Sequence, residues 1–230
     1  MLALAKPALD VGLSTNQWDA MRAFYVDGLG LPYEELLPVG GGVRQHRLGL
    51  RGSVLKVNDN RDPLGDGPTG YTKLFVADPT VAELTTQTDP DGLEVVRVPA
   101  GTAGIEAVGV EVSVADPDAY EWFATEALGA EPFSQGSYRL ATTTLVVRHV
   151  PTMPMAGAMR ARGFRYLTIQ VRDVVAEHAR LLGLGVTEGM APRRLGDVAM
   201  ISFVRDPGGN WIEISQRASL TGPLAQATPG

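Results

Sequence analysis

The residue best suited to chemistry is Glu213, in the run Trp211-Ile212-Glu213-Ile214-Ser215. Strict alternation puts Trp211, Glu213 and Ser215 on one face of a strand and both isoleucines on the other. The isoleucine face reads as core. A carboxylate on the opposite face, beside an indole, could act as a general base, accept a ligand hydrogen bond or bind a metal. It could equally meet solvent or pair with an arginine. In Tyr166-Leu167-Thr168-Ile169-Gln170 the same period gives Tyr166, Thr168 and Gln170 a common face. These are donors for a ligand, or simply residues satisfied within a sheet.

The histidines are few: His46, His149 and His178. His178 falls mid-helix, where a packed or solvent-facing role is the plain reading. His149 ends a strand and reaches a C-terminal cavity only if the register slips by one. His46 lies between Gln45 and Arg47, and alternation alone leaves its face open. There are no cysteines, so disulfides, thiolate nucleophiles and zinc–thiolate sites are excluded. The glycine run Gly40-Gly41-Gly42 is not followed by a Walker lysine or a helix, and no GxSxG occurs, so nucleotide binding and a serine triad are rejected.

The chain has 230 residues, 44% hydrophobic, with a net charge of -6. That suffices for one large or two small domains. No basic block marks a nucleic-acid or anionic-membrane surface, and no apolar run approaches a membrane span. A soluble, cytoplasmic protein is the expectation. With 27 Gly and 16 Pro, short elements joined by turns are favoured over long helices.

Those elements recur. A strand at residues 9–14 precedes a helix capped by Thr15 or Asn16 and carrying Trp18, Met21 and Tyr25 on one stripe. Strands follow at about 33–38, 43–50 and 53–57. A second start, LFVADP, predicts a strand from Tyr71, a short helix to about Thr86 and a strand at 93–98, with the middle strands missing. A third, VSVADP, predicts a strand at 108–114, a helix with Tyr120 and Phe123, and strands at 138–141 and 144–149. A linker, residues 151–163, carries Met153, Met155 and Met159 and reads as a plain connection or a flap over an apolar ligand. The fourth unit has a strand at 164–171, a helix at 173–182 and strands at 186–190 and 198–204. These lead through the turn Asp206-Pro207-Gly208-Gly209-Asn210 into the Glu213 strand. Repeated order of this kind is an internal repeat.

NQWDAMRAFYVDGLGL, VEVSVADPDAYEWFATEALGA, LTIQVRD and FVRDPGGNWIEI together resemble the vicinal-oxygen-chelate superfamily, which comprises glyoxalases, bleomycin-resistance proteins and extradiol dioxygenases. The resemblance covers about residues 9–216. It implies an α+β fold of tandem βαβββ modules whose strands curl around concave sites, with the second module abbreviated. The modules fall at 9–57 and 71–98 in an N-terminal lobe (6–100), and at 107–149 and 164–216 in a C-terminal lobe (105–217). A flexible tail is expected at 218–230. Whether modules pair within a lobe or across the chain stays open.

The resemblance also implies ligand positions on first and last strands. Glu213 occupies the last-strand position of the fourth module and Tyr166 its first-strand position. Asp10, Lys56 and Tyr71 fall at corresponding places, and the first two read as a buried ion pair more readily than a catalytic one. A lysine there would repel a dication, so a full metal set is hard to assemble; Glu213 and His149 are the metal candidates. The implied function is small-molecule binding of resistance type with a degenerate metal site in a concave pocket. The alternatives are a metal-dependent dioxygenase, glyoxalase, lyase or epimerase using Fe, Mn, Zn, Ni or Co with Glu213 as ligand or base, and a non-catalytic scaffold. The expected partner is a small molecule, planar or apolar, bound by Tyr166, Thr168, Gln170, Trp211, Asp10, Lys56 and Tyr71. No nucleic acid or membrane is expected, and the chain would be a monomer or homodimer.

Overall fold

Alternating apolar residues and glycine-rich turns build four strand-rich modules in the computed structural model, which describes residues 2–224. The first holds β1 (Asp10–Thr15), α1 (Trp18–Arg22), β2 (Tyr33–Gly40), β3 (Val43–Leu50) and β4 (Ser53–Asn60). The second holds β5 (Tyr71–Ala77), β6 (Thr85–Thr88) and β7 (Glu94–Val98). In the third are β8 (Val108–Val114), α2 (Pro117–Trp122), β9 (Glu131–Ser134), β10 (Ser137–Leu140) and β11 (Thr143–His149). The fourth comprises β12 (Gly163–Gln170), α3 (Val174–Gly183), β13 (Thr187–Leu195), β14 (Ala199–Arg205) and β15 (Trp211–Arg217), followed by α4 (Ala218–Thr221). α1 and α2 each run on into a π-helical turn, Ala23–Gly28 and Phe123–Ala127. The fold is α+β, built of glyoxalase-like βαβββ modules.

The modules pair across the chain. One sheet of eight strands has the order β13-β14-β15-β12-β1-β4-β3-β2 and joins the first module to the fourth. A second, of seven strands, has the order β6-β7-β5-β8-β11-β10-β9 and joins the second to the third. In each, the two first strands meet antiparallel, β1 on β12 and β5 on β8. The eight-stranded sheet is a curled half-barrel. Val11, Leu13, Leu55, Val57, Ile212 and Ile214 form its apolar face and lie in one continuous core with Met21 and Tyr25 of the first helix and Leu181 of α3. The polar residues that alternate with them line the concave face.

Several local expectations change. Residues 79–84 form turns, not a helix, and the second module keeps a short β6 while lacking its helix. Asp78 explains this: its Oδ1 takes the Thr80 N–H at 2.8 Å and its hydroxyl at 2.6 Å, while Oδ2 takes Arg97 at 2.7 Å. A side chain turned onto residue 80 and onto the neighbouring strand stabilises a turn instead of a helical cap. Neither Thr15 nor Asn16 caps α1. Gln17 is the N-cap residue and provides no side-chain bond, while the Asn16 side chain binds Asn60 O, Asp62 O and Leu64 N, fixing the long loop after β4. By contrast Asp116 and Asp173 do cap α2 and α3, accepting from Ala119 N and Ala176 N. Strand β9 had no counterpart in the sequence reading. The tail expected from residue 218 opens with the helical turn α4, and residues 225–230 lie outside the described residues.

Candidate functional site

Register places the polar side chains of the concave face. On the two central strands Asp10 stands opposite Thr168 and Gly12 opposite Tyr166. Their parallel neighbours set Lys56 beside Gly12 and Glu213 beside Thr168. Lys56 and Glu213 are therefore equivalent positions of the two modules, related by the approximate twofold between β1 and β12. One is a cation and the other an anion, and they meet at the centre of the half-barrel.

There Lys56 Nζ lies 2.6 Å from Glu213 Oε2 and 2.8 Å from Thr168 Oγ1, and the Thr168 hydroxyl donates to the same carboxylate oxygen at 2.6 Å. Thr168 thus accepts from the ammonium and donates to the carboxylate, closing a three-membered network. The side chains of Lys56 and Glu213 are only 4% and 10% exposed. The expected Asp10–Lys56 ion pair does not form, because Lys56 reaches across β1 to the fourth module. Asp10 instead pairs with Lys6 at 2.6 Å and accepts from Val54 N and Gln170 Nε2. Burial works to raise the Asp10 carboxyl, but the Lys56 and Lys6 charges and the bonds from Lys6 and Gln170 outweigh it, holding it below its usual range.

Tyr166 lies flat against the backbone of β1. A Cβ at Gly12 would stand 2.3 Å from its ring, so only glycine allows this approach. Its hydroxyl accepts from Asn58 Nδ2 at 3.0 Å and Gln45 Nε2 at 3.4 Å. Burial and then the Glu213 charge push that phenol well above its usual range, against the Asn58 hydrogen bond and the Arg47 charge, so it stays neutral. Tyr166 also meets Phe203 edge to face, and Phe203 meets Trp211 likewise. These three rings fill one end of the concave face. Trp211 is not free to stack on a ligand: Arg205 lies over its ring at 4.0 Å and its Nε1 donates to Gly157 O. The 151–163 linker is bound to this same end, through Ala156 N to Gly208 O and Gly157 N to Pro68 O.

The other end is open. A cleft of ≈ 480 Å³ has Gln45, Arg47, Lys56, Glu213, Ser215 and Arg217 on its floor and Leu37, Val39, Leu195, Val198 and Ile201 among its walls. The sequence reading missed Gln45, Arg47 and Arg217. Period two carries the series 211, 213, 215 on to Arg217, and Gln45 and Arg47 flank a histidine of opposite face, so alternation held the signal. It could not say which face curls inward.

The remaining candidates go elsewhere. Tyr71 is buried in the core, stacked on Phe164 at 4.6 Å with its hydroxyl donating to Trp211 O, and does not line the cleft. His46 points to the helical face: it stacks on Trp18 at 3.6 Å and bonds the Tyr33 hydroxyl. His149 is exposed at the end of β11, in the seven-stranded sheet, because the third module pairs with the second. Glu213 and His149 therefore share no metal site. His178 packs on α3 and bonds Glu188 at 2.9 Å.

A scan against family models matches residues 9–214 to the Glyoxalase/Bleomycin resistance protein/Dioxygenase superfamily. The chain belongs to that superfamily. No curated protein gives a significant sequence match. Among solved structures, glyoxalase I from Zea mays superposes with a TM-score of 0.71 at 15% identity, covering 91% of this chain and 92% of that one. A dioxygenase-like protein from Bacillus subtilis subsp. subtilis str. 168 gives a TM-score of 0.66 at 16% identity, over 94% and 85%. At these identities the likeness is one of fold.

A divalent metal does not fit the donors of this superfamily member. Among the described residues no three His, Asp or Glu side chains converge. At the centre of the concave face Glu213 already holds an ammonium at bonding distance, the nearby Asp10 is held by Lys6, and the first-strand residues adjoining Lys56 and Glu213 are Gly12 and Thr168. A dication there would meet a fixed positive charge.

Proposed function

We propose that this superfamily member binds a small molecule in the cleft of the eight-stranded half-barrel, as resistance-type proteins do, on a floor that uses no metal. The observation that carries this is the Lys56 ammonium seated between Glu213 and Thr168. It supplies from the chain itself the positive charge that a bound cation would bring. Lys56 has three N–H donors, of which Glu213 and Thr168 take two, so one is left for a ligand. The apolar walls and polar floor match the usual make-up of small-molecule pockets. Both modules that form the cleft come from one chain, so a monomer is sufficient for it and a homodimer is not required.

The test is metal stoichiometry. Protein purified without a metal-affinity tag, incubated with Fe, Mn, Zn, Ni or Co salts and desalted, should retain well under one ion per chain by elemental analysis. Retention of about one ion per chain, lost in Glu213→Ala, would overturn the reading.

A second reading is a metal-free enzyme with Glu213 as base. Its support is that Glu213 Oε1, unlike Oε2, makes no hydrogen bond among the described residues while the side chain lines the cleft. Turnover of a small substrate that Glu213→Gln abolishes, with binding retained, would favour it.

A further inference from the structure

The cleft floor holds more cationic donors than the protein satisfies. Arg47 of β3 and Arg217 at the end of β15 both turn to one oxygen of Glu35: Arg47 Nε lies 2.9 Å from Oε1 and an Arg217 terminal nitrogen 3.4 Å from it. Their side chains are 7% and 15% exposed. Arg47 also donates to Gln45 Oε1 at 3.3 Å. Yet the Nε of each arginine is buried and makes no aligned hydrogen bond, the short Arg47–Glu35 approach being a charge contact only. A guanidinium carries five N–H groups, and buried ones without acceptors are costly. Burial and the neighbouring Arg217 charge both push the Arg47 guanidinium below its usual range, so the two cations strain against each other.

The charges sum the same way. Arg47, Arg217 and Lys56 contact Glu35 and Glu213, three cations against two carboxylates, while Lys6 and Asp10 cancel one another and Glu34 acts on Arg47 only from beyond contact distance. In a chain of net charge -6 the direct contacts on this floor leave one cation without a carboxylate of its own. Above it the walls are hydrocarbon, Leu37 and Val39 on one side and Val198 and Ile201 on the other.

We propose that the cleft takes a small organic monocarboxylate, its carboxylate bridging Arg47 and Arg217 within reach of Lys56 and its apolar body held between the β2 and β14 walls. This rests on the reading of the cleft as a small-molecule site and adds the chemistry of the ligand. A planar carboxylate presents two oxygens that match the donor fork of a guanidinium. One carboxylate supplies the partner that the direct contacts leave wanting. The carboxylate meets the terminal N–H groups of the two arginines where they line the cleft, their Nε atoms being buried beneath it.

Matched acid and amide probes test this. Hexanoate with hexanamide, and benzoate with benzamide, are titrated into the full chain at low ionic strength by calorimetry, with chemical-shift mapping of β3, β4 and β15. Each acid should bind at least tenfold more tightly than its amide, and both Arg47→Gln and Arg217→Gln should erase the preference. Arg217, the more exposed, serves if the Arg47 variant does not fold. Equal affinity for acid and amide would overturn the carboxylate assignment and leave the cleft reading standing. Binding of neither probe would overturn both. An acid preference that survives in the variants would place the anion elsewhere and overturn the proposal. So would displacement of hexanoate by equimolar inorganic phosphate.

Discussion

Replacing Lys56 by methionine keeps most of the side-chain volume but leaves Glu213 buried without its ammonium. At 2.6 Å and an effective dielectric constant near 20, the attraction lost is about 6 kcal/mol in gross terms. Desolvation of two nearly buried ions offsets much of that, so the net worth of the intact pair is small. Breaking one side is different, because the orphaned carboxylate keeps its full desolvation penalty, and the expected loss is about 3–5 kcal/mol. Thr168 softens this slightly by still donating to Oε2. In urea at pH 7, with a slope near 3 kcal/mol per molar, the midpoint should fall by about 1–1.7 M without a change of slope. Lys56→Met/Glu213→Gln removes both charges and should recover most of that loss, giving a strongly non-additive cycle. A single-variant loss below about 1 kcal/mol, or a double variant no better than the sum of the singles, would refute the reasoning: the pair would then be solvated, and the floor open to water or ions.

Other sites give independent tests. Gly12→Ala forces a methyl into the Tyr166 ring and should lower stability by about 1–3 kcal/mol in thermal unfolding with the fold retained; a neutral result would mean that the ring moves freely. Asp206, buried in the turn before β15, has its carboxyl raised by burial to about 6, against hydrogen bonds from Asn210 and Gly208 that lower it. A folded-state value above the unfolded one means that the native state binds the extra proton, so its contribution is greatest below about 4 and is lost as pH rises through about 6. The gap from 3.8 corresponds to about 3 kcal/mol at most, and Asp206→Asn should flatten this fall in urea midpoints measured from pH 4 to 7. Tyr25→Phe deletes the 2.8 Å bond from its hydroxyl to Asp89, which ties the first helix to the turn before β7, and should cost about 1–3 kcal/mol by chemical denaturation.

The repeat, the strand faces and the turns were legible because they depend on local order. Ile212 and Ile214 are core and Glu213 is on the opposite face, as period two requires, and the Asp116-Pro117 pair of VSVADP caps its helix. Asp78-Pro79 carried the same helical signature and failed, because Arg97 two strands away captured the aspartate. That partner is not local, so no window around residue 78 contains it.

By itself, then, the sequence determined the α+β module, its four-fold recurrence, the superfamily and which residues of a strand share a face, since alternation and turn chemistry act over a few residues. Only the tertiary structure decided which modules pair. Joining the first to the fourth brings Lys56 to Glu213 across 157 residues and sends His149 to the other sheet. It also decided that Trp211 is covered by Arg205 while Arg47 and Arg217 line an open cleft. The Arg205–Trp211 contact lies within one hairpin, but the pairing of modules and the arginine-lined cleft depend on strands meeting that are distant along the chain, and their encounter is set by the summed burial of whole sheet faces, which no short stretch of sequence encodes.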